Sequence, residues 1–182
     1  HADIDSAIEI AVNAKVQRPG VCNAMETLVL DNGLPDKKKK ACIDALLDNS
    51  VRLYGDEQSR KLSPGVRRAP KSAWGTEYLD LRCSVRIVKD IHAAIDHINT
   101  FGSHHTDGIV SKSKKEQALF MRTVDSSSVM INTSTRFSDG GEYGMGCEIG
   151  ISTDKIHARG PMGVDDLTTY KWVVQGKGQI RT

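Results

Sequence analysis

The stretch Gln17-Arg18-Pro19-Gly20-Val21-Cys22-Asn23-Ala24-Met25-Glu26-Thr27 places a cysteine directly after a Pro-Gly turn. The proline ring fixes the φ angle of Pro19, and Gly20 permits the sharp bend that follows. Unpaired backbone N–H groups at such a bend favour a thiolate and can bind an oxyanion formed at a carbonyl. The stretch leaves two interpretations open: Cys22 is a reactive nucleophile, or it is the buried, inert cysteine that is commoner in proteins.

The same stretch separates a helical pattern from a β-prone pattern. Apolar residues at helical spacing predict a helix that begins near Asp3 and ends before Pro19, and Thr27–Leu30 predicts a strand. Strands are also predicted at 51–54, 84–88, 108–110 and 128–132, and helices after Pro35, Asp90 and Ser113. This alternation indicates an α/β fold: a three-layer αβα sandwich with a mainly parallel sheet. In such sheets ligands bind beyond the carboxyl ends of the strands, where Asn132 is expected to lie.

Three segments have less regular patterns. Residues 55–76 contain prolines and glycines and are expected to form a long connection with little regular structure. Residues 138–150 form a glycine-rich loop that lacks dinucleotide-binding spacing, so we expect its backbone to pass close to a substrate. The pattern from Thr168 to Ile180 is β-like. We therefore predict a cysteine-bearing domain at 1–166 and a β-rich tail at 167–182.

Composition restricts the function classes. The chain has 182 residues, 38% of them hydrophobic, and a net charge of +2, which is typical of a globular domain and argues against nucleic acid or a membrane as the main partner. The four cysteines are too sparse for a disulfide scaffold and indicate a reducing compartment. The histidines and cysteines form no zinc-binding pattern, so no metal site is predicted. We interpret Lys37–Lys40 as a solvated helix face.

Five stretches together resemble the gamma-glutamyl phosphate reductases, members of the aldehyde dehydrogenase superfamily. They occur in the expected order and cover nearly the whole chain: Arg18–Leu28, Thr76–Asp80, Asn132–Gly141, His157–Gly163 and Leu167–Trp172. A Pro-Gly pair before Cys22, in place of the Gly-Gln common in aldehyde oxidisers, favours the acyl-phosphate reductase branch.

The resemblance implies a reaction and a setting for it. It implies reduction of L-glutamyl 5-phosphate by NADPH to L-glutamate 5-semialdehyde, with phosphate release, through a thioester on Cys22, in cytoplasmic proline biosynthesis. It also implies a cofactor-binding domain upstream, so that this chain is the catalytic part of a longer enzyme and is inactive alone. The implied partners are further copies of the enzyme, which the tail contacts, and glutamate 5-kinase.

The resemblance also implies site residues beyond Cys22. Glu77 matches a glutamate that approaches the ribose next to nicotinamide. The implied substrate-binding residues are Asn132, Thr133, Ser134, Arg136, His157 and Arg159. Each has a structural alternative: Glu77 as a solvated loop acid, the arginines as partners in ion pairs, His157 as a residue that orients Arg159, and the short polar residues as turn caps.

Two other functions stay open from the sequence. One is an aldehyde dehydrogenase that acts on another semialdehyde. The other is an assembly or binding module that has no turnover as an isolated segment. The sequence upstream of this chain would decide between them, since a dinucleotide-binding domain there would indicate an enzyme.

Overall fold

The computed structural model describes residues 2–182, so the predicted domain 1–166 is described from residue 2 onward. The α-helices are α1 (Ile4–Val16), α2 (Asp36–Asp48), α3 (Glu57–Leu62), α4 (Ile91–Phe101) and α5 (Lys114–Thr123). The strands are β1 (Thr27–Asp31), β2 (Arg52–Gly55), β3 (Arg67–Arg68), β4 (Arg82–Val88), β5 (Thr106–Ile109), β6 (Ser128–Ile131), β7 (Gly150–Ser152) and β8 (Gly160–Met162). Turns of 3-10 helix occupy Lys71–Gly75, Thr135–Phe137 and Asp165–Leu167.

The strands form a mainly parallel arrangement, as predicted. Within residues 2–182, one sheet has the order β1-β4-β2-β3, and every neighbouring pair in it is parallel. Strands β5 and β6 form a separate parallel pair, and β7 and β8 form an antiparallel pair. Strands β1 and β5 therefore each keep one edge that pairs with no other strand of the described chain.

The buried residues of β4 explain the layered architecture. Cys83, Ser84 and Val85 are consecutive and fully buried. Because successive side chains of a strand point to opposite faces, both faces of the sheet are covered at β4. The main core joins Cys83 and Val85 to Ile43 and Leu46 of α2. A smaller core cluster holds Ile95 of α4 and Phe120 of α5. The prediction of an α/β fold with a mainly parallel sheet is confirmed.

Three of the helices begin at the residues that the sequence indicates. The side chains of Asp3, Asp90 and Ser113 each accept a hydrogen bond from the backbone N–H three residues later. Such N-caps satisfy backbone donors that a helix start leaves unpaired. Local side-chain chemistry therefore sets these helix starts.

The expectation for residues 55–76 is wrong. This segment contains α3, β3 and a 3-10 turn. Asp56 caps α3 by accepting from Ser59 N, and its second carboxylate oxygen accepts from Ile87 N of β4 at 2.8 Å. The helix is short and has no long apolar repeat, so periodicity alone did not reveal it.

The prediction of a β-rich tail is also corrected. Residues 168–182 contain no strand and are exposed throughout. The β-like pattern has no partner strand within the described residues, and a strand needs a ladder partner to form. Its large apolar side chains face solvent, among them Tyr170, Trp172, Val173, Val174 and Ile180. Among residues 2–182, no helix has the length and apolar character that crossing a membrane would require.

Candidate functional site

Cys22 lies in the turn that connects α1 to β1. Backbone bonds close this turn, from Ala24 N to Val21 O at 3.0 Å and from Met25 N to Ala14 O at 2.9 Å. Cys22 is exposed, whereas Cys42 and Cys83 are buried. It lines a cavity of about 740 Å³, called here the central cleft, whose walls include β1, β5, α1 and α4. Cys22 is therefore not the buried cysteine of the second interpretation.

The electrostatics of Cys22 differ from the expectation of a lowered thiol pKa. Partial burial raises the pKa of Cys22, and the carboxylates of Glu148 and Glu77 raise it further because they disfavour a thiolate nearby. The backbone N–H groups of Cys22 and Asn23 oppose this and lower the pKa. The amides thus interact with the sulfur as the turn predicts, but in this chain they do not outweigh burial and the two glutamates.

Asn23 holds the Cys22 turn against the segment that follows β6. It is buried, and its Nδ2 donates to Ser138 O at 2.9 Å. Thr135 Oγ1 donates to Asn23 O at 2.6 Å. Arg136 Nη1 donates to Asn23 Oδ1, and Arg136 Nε donates to Gln17 Oε1 at 2.6 Å. Arg136 is therefore brought to the cysteine turn, where it bonds to side chains on both sides of Cys22.

A buried ion pair below this turn was not predicted. Lys15 is completely buried, and its Nζ lies 2.9 Å from Glu26 Oε2. Burial raises the pKa of Glu26, while Lys15 acts to lower it. Glu26 Oε1 also accepts from Leu79 N at 3.4 Å, which connects the turn to the loop of Glu77. The sequence did contain a signal for this pair. Lys15 lies four residues after Ala11, which places its charged side chain on the apolar face of α1.

Two of the candidate residues, Cys22 and Glu77, lie at the amino ends of strands. Cys22 precedes β1, Glu77 precedes β4, and both line the central cleft. Asn132 follows the carboxyl end of β6, as expected, whereas Cys22 lies at the amino end of its strand. The physical reason is the compact connection from α1 to β1, which delivers the cysteine to the start of the strand rather than its end.

The side chains of Asn132 and Ser134 form hydrogen bonds with nearby backbone groups. Asn132 follows β6 in a left-handed conformation with φ of 54°. Its Oδ1 accepts from Ser111 N at 2.9 Å, and its Nδ2 donates to Ser111 O at 3.1 Å. Ser134 is buried, and its Oγ accepts from Arg136 N at 3.3 Å. Thr133 differs, because it lines the central cleft. The capping alternative thus describes Asn132 and Ser134, whereas Thr133 is part of the cleft wall.

Arg159 forms an ion pair and a hydrogen bond with Asp125. Its Nη1 lies 2.9 Å from Asp125 Oδ1, its Nη2 donates to Asp125 O at 3.1 Å, and its Nε donates to Thr153 O at 3.3 Å. Lys155 and Arg159 together lower the pKa of Asp125. The ion-pair alternative describes Arg159 in this structure. His157 is exposed in the connection between β7 and β8.

Two further groups bear on the chemistry of the site, one of them inert and the other close to Cys22. Burial raises the pKa of Cys83 to about 12, so its thiol stays protonated at neutral pH. Glu148, which sequence reasoning missed, accepts from Gly140 N at 2.9 Å and so belongs to the glycine-rich loop. Among residues 2–182, no group of three or more His, Cys, Asp and Glu side chains is placed to hold a metal ion.

Comparison with known proteins gives long matches. Two of the most similar curated relatives are gamma-glutamyl phosphate reductases. The protein from Nautilia profundicola is 48% identical over 99% of this chain and 44% of its own length. That from Caldanaerobacter subterraneus subsp. tengcongensis is 46% identical over the same shares. The chain thus spans less than half the length of these relatives. No protein-family model matches it.

Solved structures agree with these relatives. A gamma-glutamyl phosphate reductase from Thermotoga maritima superposes with a TM-score of 0.94 at 40% identity, covering 100% of this chain and 44% of that one. An acetylating aldehyde dehydrogenase from Geobacillus thermoglucosidasius matches with a TM-score of 0.70 at 15% identity, over 100% of this chain and 50% of that one. At this low identity the second match concerns the fold alone.

The mainly parallel α/β fold of this chain is that of the aldehyde-dehydrogenase-like catalytic domains. Within this class, the matches over 99% of the chain show that it is similar to one segment of the longer gamma-glutamyl phosphate reductases. The resemblance seen in the sequence motifs is confirmed.

Proposed function

We propose that the longer protein containing this chain reduces L-glutamyl 5-phosphate to L-glutamate 5-semialdehyde with NADPH, releases phosphate, and so serves proline biosynthesis. The observation that carries the proposal is Cys22, exposed at the central cleft with two backbone N–H groups beside its sulfur. The similarity to gamma-glutamyl phosphate reductases supplies the substrate class.

Cys22 is the proposed nucleophile. Its thiolate attacks the acyl carbon, and the backbone N–H groups of Cys22 and Asn23 stabilise the negative charge of the tetrahedral species. The bond from carbon to the phosphate oxygen then breaks, phosphate leaves, and a thioester remains on Sγ. Once the acyl carbon has received a hydride, the carbon–sulfur bond breaks, which releases the aldehyde and restores the Cys22 thiolate.

The residues of this chain fit one end of a nicotinamide cofactor. When bound, NADPH supplies the hydride for this reduction. Glu77 is exposed on the rim of the central cleft that Cys22 also lines, and within residues 2–182 it forms no ion pair. Its carboxylate is therefore available to accept hydrogen bonds from ribose hydroxyl groups. The rest of the cofactor site is proposed to lie in the part of the protein outside this chain.

The substrate-binding residues are proposed with two different functions. Thr133 contacts substrate from the cleft wall, and His157 does so from the exposed connection before β8. Asn132, Ser134, Arg136 and Arg159 position this wall, since their polar groups bond to backbone or side chains of the domain. Arg136 acts on the cysteine turn through Asn23.

The tail at 167–182 is proposed as a subunit contact in a homo-oligomer. Trp172 and Val174 are 86% and 90% exposed, which a second chain would cover. Large exposed apolar patches of this kind mark interaction sites. A coupling to glutamate 5-kinase is proposed on the family resemblance alone.

The test uses the complete protein in the reverse direction, with glutamate 5-semialdehyde, phosphate and NADP. Cys22→Ser is expected to reduce activity to background, whereas Cys147→Ser, within the glycine-rich loop, is expected to keep it. With L-glutamyl 5-phosphate and no NADPH, peptide mass spectrometry should locate an acyl group on Cys22. Activity of Cys22→Ser, or an adduct on Cys147, would contradict the assignment. Turnover that does not require phosphate would favour an aldehyde dehydrogenase acting on another semialdehyde.

A further inference from the structure

The surroundings of Cys22 include one carboxylate that the proposed chemistry does not use. Burial raises the pKa of the Cys22 thiol, and the negative charges of Glu148 and Glu77 raise it further. Glu77 is proposed to bind the cofactor, but Glu148 has no such assignment. A negative charge near the sulfur disfavours the thiolate that the reaction needs. The position of Glu148 therefore opposes catalysis unless another group neutralises its charge.

Glu148 is held near Cys22 by a chain of hydrogen bonds. Asn23, the neighbour of Cys22, donates from Nδ2 to Ser138 O at 2.9 Å, and Ser138 is 1% exposed. Two residues later, Gly140 N donates to Glu148 Oε2 at 2.9 Å. A Cβ atom added to Gly140 would lie only 2.9 Å from the Cβ atom of Glu148, so glycine permits this close approach. The two ends of the glycine-rich loop are thus joined next to the cysteine turn.

The other carboxylate oxygen of Glu148 is available to a ligand. Glu148 is exposed, and its hydrogen bond from Gly140 occupies only Oε2. It forms no ion pair with any residue in the range 2–182. The candidate cations Arg136 and Arg159 are bonded to other side chains. The charge of Glu148 therefore has no partner in the described part of the chain.

A buried histidine close to both glutamates also lacks a partner. His105 is 6% exposed, and its Nε2 atom forms no hydrogen bond within residues 2–182. Its Nδ1 lies 2.6 Å from Thr106 Oγ1, and its carbonyl oxygen accepts from Ser128 N, which fixes it at the start of β5. Burial lowers the pKa of His105, although Glu148 and Glu77 act to raise it. A neutral imidazole does not offset the charge of the glutamates, so the region around the thiol is negative.

The ligand group that fits this region is a cation with N–H donors. A carboxylate binds an ammonium group through charge-assisted hydrogen bonds, which are stronger than those between neutral groups. L-glutamyl 5-phosphate carries an ammonium group on its α-carbon, four covalent bonds from the carbon that Cys22 attacks. During attack that carbon lies about 3–3.5 Å from the sulfur, so the ammonium group can reach a carboxylate near Cys22. The phosphate and the α-carboxylate of the same substrate are negative and would be repelled there.

On the basis of the proposed function, we propose that Glu148 binds the α-ammonium group of the substrate and so selects amino-bearing acyl phosphates and semialdehydes over analogues without that group. An analogue without the ammonium group leaves the carboxylate unpaired and is bound less well. The bound ammonium group also offsets the negative charge beside the sulfur. The correct substrate therefore favours the thiolate form of Cys22.

The test compares two aldehydes on the complete protein in the reverse direction, with phosphate and NADP. One is L-glutamate 5-semialdehyde, and the other is 5-oxopentanoate, which lacks only the amino group. Glu148→Gln should lower kcat/KM for the amino aldehyde about 10- to 100-fold, because a neutral amide cannot form the charge-assisted bond. It should leave kcat/KM for 5-oxopentanoate within about threefold or raise it, because that substrate has no ammonium group to lose. The glutamine oxygen can still accept from Gly140 N, so the loop keeps its bond.

Two further variants serve as controls. Glu142→Gln, at an exposed position of the same loop, should change neither kcat/KM by more than about twofold. Glu77→Gln, at the proposed cofactor residue, should lower both by the same factor. Equal losses on both aldehydes in Glu148→Gln, or no loss on either, would overturn this role of Glu148 and leave the proposed function intact. A wild-type protein that turns over neither aldehyde would overturn the proposed function and this role together.

Discussion

At the scale of single residues, Cys22 shows how opposing effects determine the state of a thiol. Its turn supplies amide donors, which favour the thiolate, but burial and two carboxylates disfavour it more strongly. Sequence reasoning identified the donors because they are local. It missed Glu148, which is 126 positions away in the chain and reaches the site through the glycine-rich loop.

The first prediction concerns alkylation of Cys22. Iodoacetamide should label Cys22 faster than Cys42 near neutral pH, because Cys22 is exposed and Cys42 is 3% exposed. Glu148→Gln should shift the rate-versus-pH profile of Cys22 to lower pH, because a neutral amide no longer disfavours the thiolate. The measurement is peptide mass spectrometry of labelling from pH 6 to 10. Glu9→Gln, on an exposed position of α1, is the control that should not shift it. Equal rates at the two cysteines would count against a reactive Cys22.

The second prediction concerns acid stability through His97. His97 is 5% exposed, and its Nδ1 lies 2.5 Å from Arg86 Nη1. Burial, followed by the charge of Arg86, lowers the pKa of His97 to about 4, compared with about 6.5 in an unfolded chain. Between these values the unfolded chain binds more protons. The stability that neutral His97 contributes is therefore present above pH 6.5 and is lost as the pH falls towards 4.

The expected effect is a loss of about 2 kcal/mol in the free energy of unfolding between pH 7 and pH 4.5. Urea unfolding at both pH values measures it. His97→Gln should reduce this pH dependence, whereas His92→Gln, on an exposed position of the same helix, should not. An unchanged dependence in His97→Gln would show that another group titrates.

At the scale of elements, the connection from α1 to β1 is the part of the chain on which the site depends. The ion pair between Lys15 and Glu26 joins the two ends of this connection. Asn23 and Arg136 hold it against the 3-10 turn Thr135–Phe137. Helix starts were predictable because each cap is made within three residues. The Lys15–Glu26 ion pair was not predictable, because it depends on how α1 packs against the sheet.

The third prediction concerns the Lys15–Glu26 ion pair. Lys15→Met leaves the partly buried carboxylate of Glu26 without its partner. Removing one member of a buried pair destabilises a protein strongly, and the 21% exposure of the Glu26 side chain reduces the loss to about 2–3 kcal/mol. Urea unfolding at pH 7 measures it. Lys40→Met, which breaks the exposed pair with Asp44, should cost less than about 1 kcal/mol.

The double variant Lys15→Met with Glu26→Gln provides the check on this mechanism. Without a carboxylate to bury, it should recover part of the lost stability. A double variant that is less stable than Lys15→Met would show that Glu26 stabilises the turn through Leu79 N rather than through the ion pair.

At the scale of the whole molecule, this chain carries Cys22, and we propose that most of the cofactor site lies outside it. Its glycine-rich loop lacks the dinucleotide-binding spacing, and Glu77 alone was matched to the cofactor. The chain also spans only 44% of the relatives' length. The central cleft, open between two sheet edges, is consistent with a domain whose neighbours in the complete protein contribute to its structure.

The fourth prediction follows for NADPH. Calorimetric titration should detect no tight site on this chain, whereas the complete protein should bind the cofactor stoichiometrically. In the complete protein, Glu77→Gln should weaken binding about 10- to 100-fold, as expected for loss of a charge-assisted hydrogen bond. Glu57→Gln, an exposed acid on α3, is the control. Tight binding by the chain alone would contradict the proposal that most of the cofactor site lies outside it.

The sequence by itself determined the α/β class, the helix caps, the turn that presents Cys22 and the resemblance to the gamma-glutamyl phosphate reductases, because these depend on local periodicity, local side-chain bonds and contiguous motifs. Only the tertiary structure decided the use of the other polar residues. Arg159 bonds to Asp125 and Arg136 to Asn23, and both pairs join positions far apart in the chain. It also decided that Cys22 lies at the amino end of its strand, and that β1 and β5 face one cleft. A residue's type states which bonds it can make, but packing decides which partners come within reach.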